Sequence, residues 1–155
     1  IRDRYYLTCD DDIIYPPDYV DNMKHDIDKH KCIVTHHGRE LRKSAKSYYR
    51  GHKSFHCMKA NTVEQYIDVA GTGVCGWKTS YFCPTDICDA EDKRMSDLVF
   101  SLEAAKQGKR IKVLKHRQGY INAQNIPLSK TIYGMEHKRD HRQTEIANEI
   151  LKLKR

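Results

Sequence analysis

The chain has 155 residues, 39% hydrophobic and 32% charged, with a net charge of +7 from 28 Lys and Arg against 21 Asp and Glu. That length suits one domain, which buries about 70% of its unfolded surface. No apolar run approaches the ~20 residues of a helical membrane span. Six cysteines (Cys9, Cys32, Cys57, Cys75, Cys83, Cys88) show no paired spacing. Several sit in apolar runs, where free Cys behaves as a small hydrophobe, so we read them as reduced thiols. Cys83 and Cys88 stand too far apart for a CxxC zinc knuckle.

The chain opens on IRDRYYLTC, already strand-like, so we expect a fragment whose natural protein has residues ahead of it. Tyr5 to Cys9 is the first predicted strand. Asp10, Asp11 and Asp12 follow it directly. Three adjacent carboxylates repel, and Asp is a poor strand residue. A cation, a set of backbone donors or water at a turn has to offset that cost. Pro16 and Pro17 suit the first turn of a helix, and DYVDNMKHDIDKH places Tyr19, Val20, Met23 and Ile27 at helical spacing.

Lys31 to Thr35 is a second predicted strand. Residues 39–59 then hold seven Lys or Arg (Arg39, Arg42, Lys43, Lys46, Arg50, Lys53, Lys59) against one acid, Glu40. This segment is expected to be a loop: either a solvated surface or a mobile arm that meets a polyanionic glycan, lipid phosphates or nucleic acid. Val63 to Ala70 reads as a strand running into GTGVCGW. Ser96 is placed to cap a helix through DLVFSLEAAKQ that stops at Gly108. Arg110 to His116 is a further strand, and DHRQTEIANEILKLKR is an amphipathic helix with Ile146, Ile150 and Leu153 on one face. Strands alternating with helices predict an α/β domain with a mostly parallel or mixed sheet.

A carboxylate cluster at the carboxyl end of a strand is well placed for a ligand in an open α/β sheet. Hard oxygen donors suit Mg²⁺ or Mn²⁺, which bridge carboxylates to substrate phosphates. The competing reading is an acidic turn ahead of the helix. Gly71 and Gly73 permit a close backbone approach or a tight turn. Asp97 falls in the first turn of its helix, where the helix dipole alone favours an acid. Trp77 suits packing on a sugar ring or in the core. The pairs His36-His37 and His56-Cys57 are discounted as metal ligands, because nine histidines make chance proximity common.

LTCDDDIIYPPDYV resembles the DXD motif of nucleotide-sugar glycosyltransferases with the GT-A fold. The match is to a family 2-like bacterial group of capsule and lipopolysaccharide enzymes that includes the heparosan capsule N-acetylglucosaminyltransferase. The likeness continues in order through KCIVTHHG, DVAGTGVCGWKTSYF, MSDLVFSLEAAKQGKRIKVL and QTEIANEI, and is poorest over Arg39 to Lys59. It implies residues 1–128 as the C-terminal portion of a GT-A catalytic domain beginning at the DXD strand. Residues 129–155 would be a helical tail over the donor site, where Lys138, Arg139, His141 and Arg142 reach the diphosphate. The N-terminal, base-binding part of the fold would be missing.

The resemblance further implies Asp10 on the donor ribose, Asp11 assisting, and Asp12 on a Mn²⁺ or Mg²⁺ ion. His116 would be a further metal ligand. Gly71, Thr72 and Gly73 would shape the sugar pocket, Trp77 would meet the acceptor, and Asp97 would be the general base of an inverting transfer. The donor would be a UDP-sugar and the acceptor a glycan or lipid-linked hydroxyl. The protein would be cytoplasmic, at the inner membrane face, with the basic segment 39–59 touching the membrane and no nucleic acid bound. Two alternatives from the residues remain: a basic nucleic-acid-binding module using Tyr48 and Tyr49, and a metal-dependent nucleotidyl or phosphoryl transferase.

Overall fold

A computed structural model describes residues 3–42, 46–85, 94–124 and 140–154. Its strands are β1 (Tyr5–Cys9), β2 (Ile13–Ile14), β3 (Ile33–Thr35), β4 (Gly38–Glu40), β5 (Lys53–Phe55), β6 (Gln65–Ile67), β7 (Val69–Ala70), β8 (Val74–Lys78), β9 (Ile111–Val113) and β10 (Asn122–Ala123). Its helices are α1 (Tyr19–His30), α2 (Ser96–Lys106) and α3 (His141–Leu153). Among the described residues the main sheet has the order β1-β8-β3-β9-β6. Only β3 and β9 pair in parallel within it. The domain is thus mixed α/β with a mixed sheet.

Alternation along the central strands sends successive side chains to opposite faces. Val34, Val74 and Leu114 pack with Tyr19, Met23 and Ile27 of α1. Ile33, Cys75, Trp77, Ile111 and Val113 face the other way, against Phe100 and Ala104 of α2. Helix α3 closes that second side by laying Ile146, Ala147 and Ile150 on Leu98 and Ala105. Helix α1 approaches the sheet closely because β8 carries Gly76, where a Cβ would sit 3.0 Å from Met23 Cε. Lys31, at φ 51°, ends α1 in a left-handed turn, and Gly108, at φ 63°, does the same beyond α2.

Several expectations change. The single strand predicted over Val63 to Ala70 breaks at Asp68: β6 stays at the edge of the main sheet, and β7 joins a second sheet of order β5-β4-β7. Asp68 makes the switch by leaving the ladder. Its N–H donates to Arg39 O, and its carboxylate accepts from Leu41 N and Lys154 Nζ, each at 2.6 Å. The basic segment is accordingly not a free arm. Its two ends are the hairpin strands β4 and β5, and Ser47, Tyr48 and Tyr49 bond to Asp140 and Thr144 at the start of α3.

Ser96 is the first residue of α2 and not its cap. Met95 holds the cap position, without a side-chain bond. β9 stops at Val113, and His116 makes only an isolated bridge to Asn61. Leu153, placed by periodicity on the buried face of α3, is 48% exposed, and Val20 of α1 is also exposed. The described cysteines (Cys9, Cys32, Cys57, Cys75 and Cys83) are unpaired, and Cys88 lies outside the described residues. No described helix is long and apolar enough to cross a membrane.

Candidate active site

The antiparallel pairing of β1 with β8 sets Cys9 opposite Val74. The acidic triplet after β1 therefore meets the glycine loop before β8. The carboxylate of Asp10 lies over Gly73, where a Cβ would fall 2.1 Å from Asp10 Oδ2. Tyr15 latches the two segments together: its hydroxyl accepts from Asp10 N at 2.8 Å and donates to Gly73 O at 2.5 Å. Gln124, just past β10, holds the triplet's backbone by donating from N to Asp12 O and from Nε2 to Asp11 O.

The same loop grips Asp97. Thr72 donates both its N–H and its hydroxyl to Asp97 Oδ1, each at 2.7 Å. Buried Ser101 fixes the start of α2 from below, donating to Asp97 O and accepting from Ala70 N. Gly71 completes the loop, because a Cβ there would come 2.7 Å from the His37 ring. Three consecutive residues, Gly71, Thr72 and Gly73, thus set the positions of His37, Asp97 and Asp10 in turn.

These groups line a cleft of about 820 Å³. Asp10, Asp11, Asp12, Thr72 and Asp97, expected together, all line it. So do His37 and His56, discounted above as metal ligands, Arg39 of the basic segment, Tyr49 of the nucleic-acid alternative, and Gln143 of α3. Their signal was positional. His37 follows β3 as Asp10 follows β1, and the basic segment returns to the sheet as β4 and β5.

Gly71 and Gly73 stand behind the lining, and two expected side chains are elsewhere. Trp77 is a core residue, 5% exposed among Tyr6, Phe82 and Phe100, and it does not line the cleft. It alternates inward on β8, which corrects the acceptor role. His116 also stays out of the cleft. Its Nδ1 lies 3.2 Å from Leu114 O, and its ring packs edge-on against buried His36, so it does not join Asp12. His141 and Arg142 pair with Glu145 within the first turns of α3, while Lys138 and Arg139 lie outside the described residues.

The electrostatics are uneven. Desolvation, then the charges of Asp97, Asp12 and Asp11, push the Asp10 carboxyl above its usual range. The residue as a whole is exposed, so water screens part of this cost. Burial lowers the His37 imidazole to about 4, and His56 is lowered for the same reason, so both are neutral at pH 7.

The raised Asp10 value fixes the sign of a stability effect. Folding favours the protonated acid, a contribution present below the ordinary Asp pKa of 3.8 and lost as pH rises through the folded value. Ionised Asp10 therefore costs stability at pH 7. Asp10→Asn is expected to raise Tm by about 1–4 °C at pH 7, measured without divalent metal, and to lose that advantage below pH 4.

Among the described residues no three His, Cys, Asp or Glu side chains close on one point as a complete metal cage. The donor set nevertheless fits a hard divalent cation. Mg²⁺ and Mn²⁺ use one or two carboxylates and fill the remaining positions with phosphate oxygens and water. Asp10 is a carboxylate whose charge the surrounding acids oppose. No protein-family model and no curated protein matches this chain.

Proposed function

We propose that this cleft transfers a sugar from a UDP-sugar to a hydroxyl of a glycan or lipid-linked acceptor, with Mn²⁺ or Mg²⁺, in capsule or lipopolysaccharide synthesis. The carrying observation is the Gly71–Gly73 loop, which holds the acidic triplet and Asp97 in one cleft. A mixed sheet with an acidic loop at the end of one strand supports a GT-A domain, and the ordered motif blocks support its family. The cytoplasmic membrane face and the tail over the donor site belong to the same proposal.

In this reading Asp12 and Asp10 hold the donor end. A bound Mn²⁺ or Mg²⁺ there supplies Lewis-acid stabilisation of charge on the departing nucleoside diphosphate. Asp97 keeps Oδ1 on Thr72, which locks its plane, and Oδ2 receives no hydrogen bond from the described residues. That oxygen takes the acceptor's proton as the hydroxyl oxygen bonds to the anomeric carbon and the bond to UDP breaks. Attack from the face away from UDP inverts the centre, as the resemblance implies. Neutral His37 and His56 add no competing charge at neutral pH.

Of the two tyrosines of the nucleic-acid alternative, Tyr48 is 6% exposed beneath Arg39, and half-buried Tyr49 lines the cleft. Calorimetric titration of UDP with and without Mn²⁺ tests the proposal. Binding should require Mn²⁺ and vanish in Asp12→Asn. Metal-independent binding, or none by the folded full-length chain, refutes it. Product analysis separates sugar transfer from nucleotidyl transfer: UDP is released in the first, and UMP appears on the acceptor in the second.

A further inference from the structure

Arg39 holds a position that the folding of the chain does not explain. It sits in β4, the middle strand of the second sheet, paired with Ser54 on one side and Val69 on the other. Its guanidinium stacks on two aromatic rings, 4.6 Å from the centroid of Tyr48 and 5.3 Å from that of Tyr49. Nη1 donates to Tyr48 O at 3.2 Å. Among the described residues no other hydrogen bond from this side chain is found, which leaves Nε and Nη2.

Four acids of this region accept hydrogen bonds from other residues. Glu40 accepts from Gln65, Asp68 from Leu41 and Lys154, Asp97 from Thr72, and Asp140 from Ser47 and Tyr49. No described carboxylate forms an ion pair with Arg39. Its positive charge is felt by neutral His37 and His56, whose imidazoles it holds down further. Desolvation, then the charges of Asp97, Asp12 and Asp11, raise Asp10 at the other end of the cleft. The cleft therefore has an acidic region at the glycine loop and a cationic one at β4.

A half-buried guanidinium without a counter-charge is costly, and aromatic stacking offsets only part of that cost. A planar fork held on a rigid strand is pre-organised for bidentate contact with a carboxylate or phosphate. We infer that Arg39 is the receptor for an oxyanion on a substrate, a carboxylate or a phosphate, on the β4 side of the cleft. Its place in catalysis rests on the transferase reading, but its binding chemistry does not. Among the described Lys and Arg of segment 39–59, Arg39 is the one that lines the cleft, from within that segment's own hairpin.

The test is an NMR titration of the full-length chain with methyl β-glucuronide and with methyl β-glucoside, alongside UDP with Mn²⁺. Each titration is repeated on Arg39→Gln and Arg39→Lys. The wild type should bind the glucuronide at least about ten-fold tighter than the glucoside. Arg39→Gln should erase that preference, and Arg39→Lys, which keeps the charge without the fork, should retain part of it. If instead the glycosides bind alike and Arg39→Gln weakens UDP about ten-fold, the oxyanion is the donor's phosphate and the inference stands with that source.

Equal glycoside binding with UDP affinity unchanged in Arg39→Gln overturns the inference, as does the absence of any anion binding. A wild type that ignores UDP and Mn²⁺ but prefers the glucuronide through Arg39 removes the transferase reading and keeps the anion site. Arg39→Lys also guards against a folding artefact, because its aliphatic stem still covers Tyr48.

Discussion

Asp97→Asn is expected to lower kcat by about 10²–10⁴-fold while Mn²⁺-dependent UDP affinity stays within about two-fold. The substitution is close to isosteric, and its amide oxygen still accepts from Thr72 N and Thr72 Oγ1. The glycine loop and its hold on Asp10 are therefore retained. What is lost is the ability of the second oxygen to take a proton from the acceptor. A UDP-release assay gives kcat, and calorimetry gives the donor affinity. Loss of UDP binding with chemistry intact would make Asp97 a donor-site residue and end its role as base. Asp97→Ala is a poorer probe, because it strands the Thr72 N–H without an acceptor.

Gly73→Ala is expected to weaken Mn²⁺-dependent UDP binding by about 10–100-fold without unfolding the protein, as the removal of one charge-assisted interaction would. The added methyl would fall 2.1 Å from Asp10 Oδ2 and 2.5 Å from Asp10 Cγ. Both atoms belong to an accessible side chain that can swing aside, so the backbone survives and the carboxylate is displaced. The loop's own φ does not demand glycine, since Gly73 is not among the positive-φ glycines. The effect is therefore a clash with Asp10 and not backbone strain. Gly73→Ala combined with Asp10→Asn should bind UDP no worse than the poorer single variant, because both act through one carboxylate. Fully additive losses would mean that Gly73 serves the ligand directly.

The helices were legible because their evidence is local. Tyr19, Met23 and Ile27 recur at helical spacing and are the buried stripe of α1, and Ile146 and Ile150 do the same for α3. A helix closes its hydrogen bonds within itself, so spacing alone reveals the inward face. Leu153 was misjudged at the end of such a stripe, where it is 48% exposed.

Strand limits were less legible, since a strand ends where its partner does. Nothing local to VEQYIDVA says that Asp68 will bond to Arg39, Leu41 and Lys154 and pass the chain from one sheet to another. The basic segment misled in the same way. Its charge pattern is that of a solvated arm, while its ends pair across β4 and β5 and its tyrosines anchor on α3.

The sequence by itself determined which residue types are available for chemistry: a carboxylate triplet after an apolar strand, a Gly-Thr-Gly turn, and an acid opening a helix. It also determined the α/β character, through periodicities that need no partner. Only the tertiary structure decided which of them meet. The antiparallel register of β1 on β8 lays Asp10 over Gly73, Thr72 reaches across to Asp97, and the β4–β5 hairpin brings Arg39 into the same cleft. The same packing sends Trp77 inward and leaves His116 beside His36. The reason is physical: backbone pairing and burial act between segments far apart in the chain, and spacing within a segment carries no record of them.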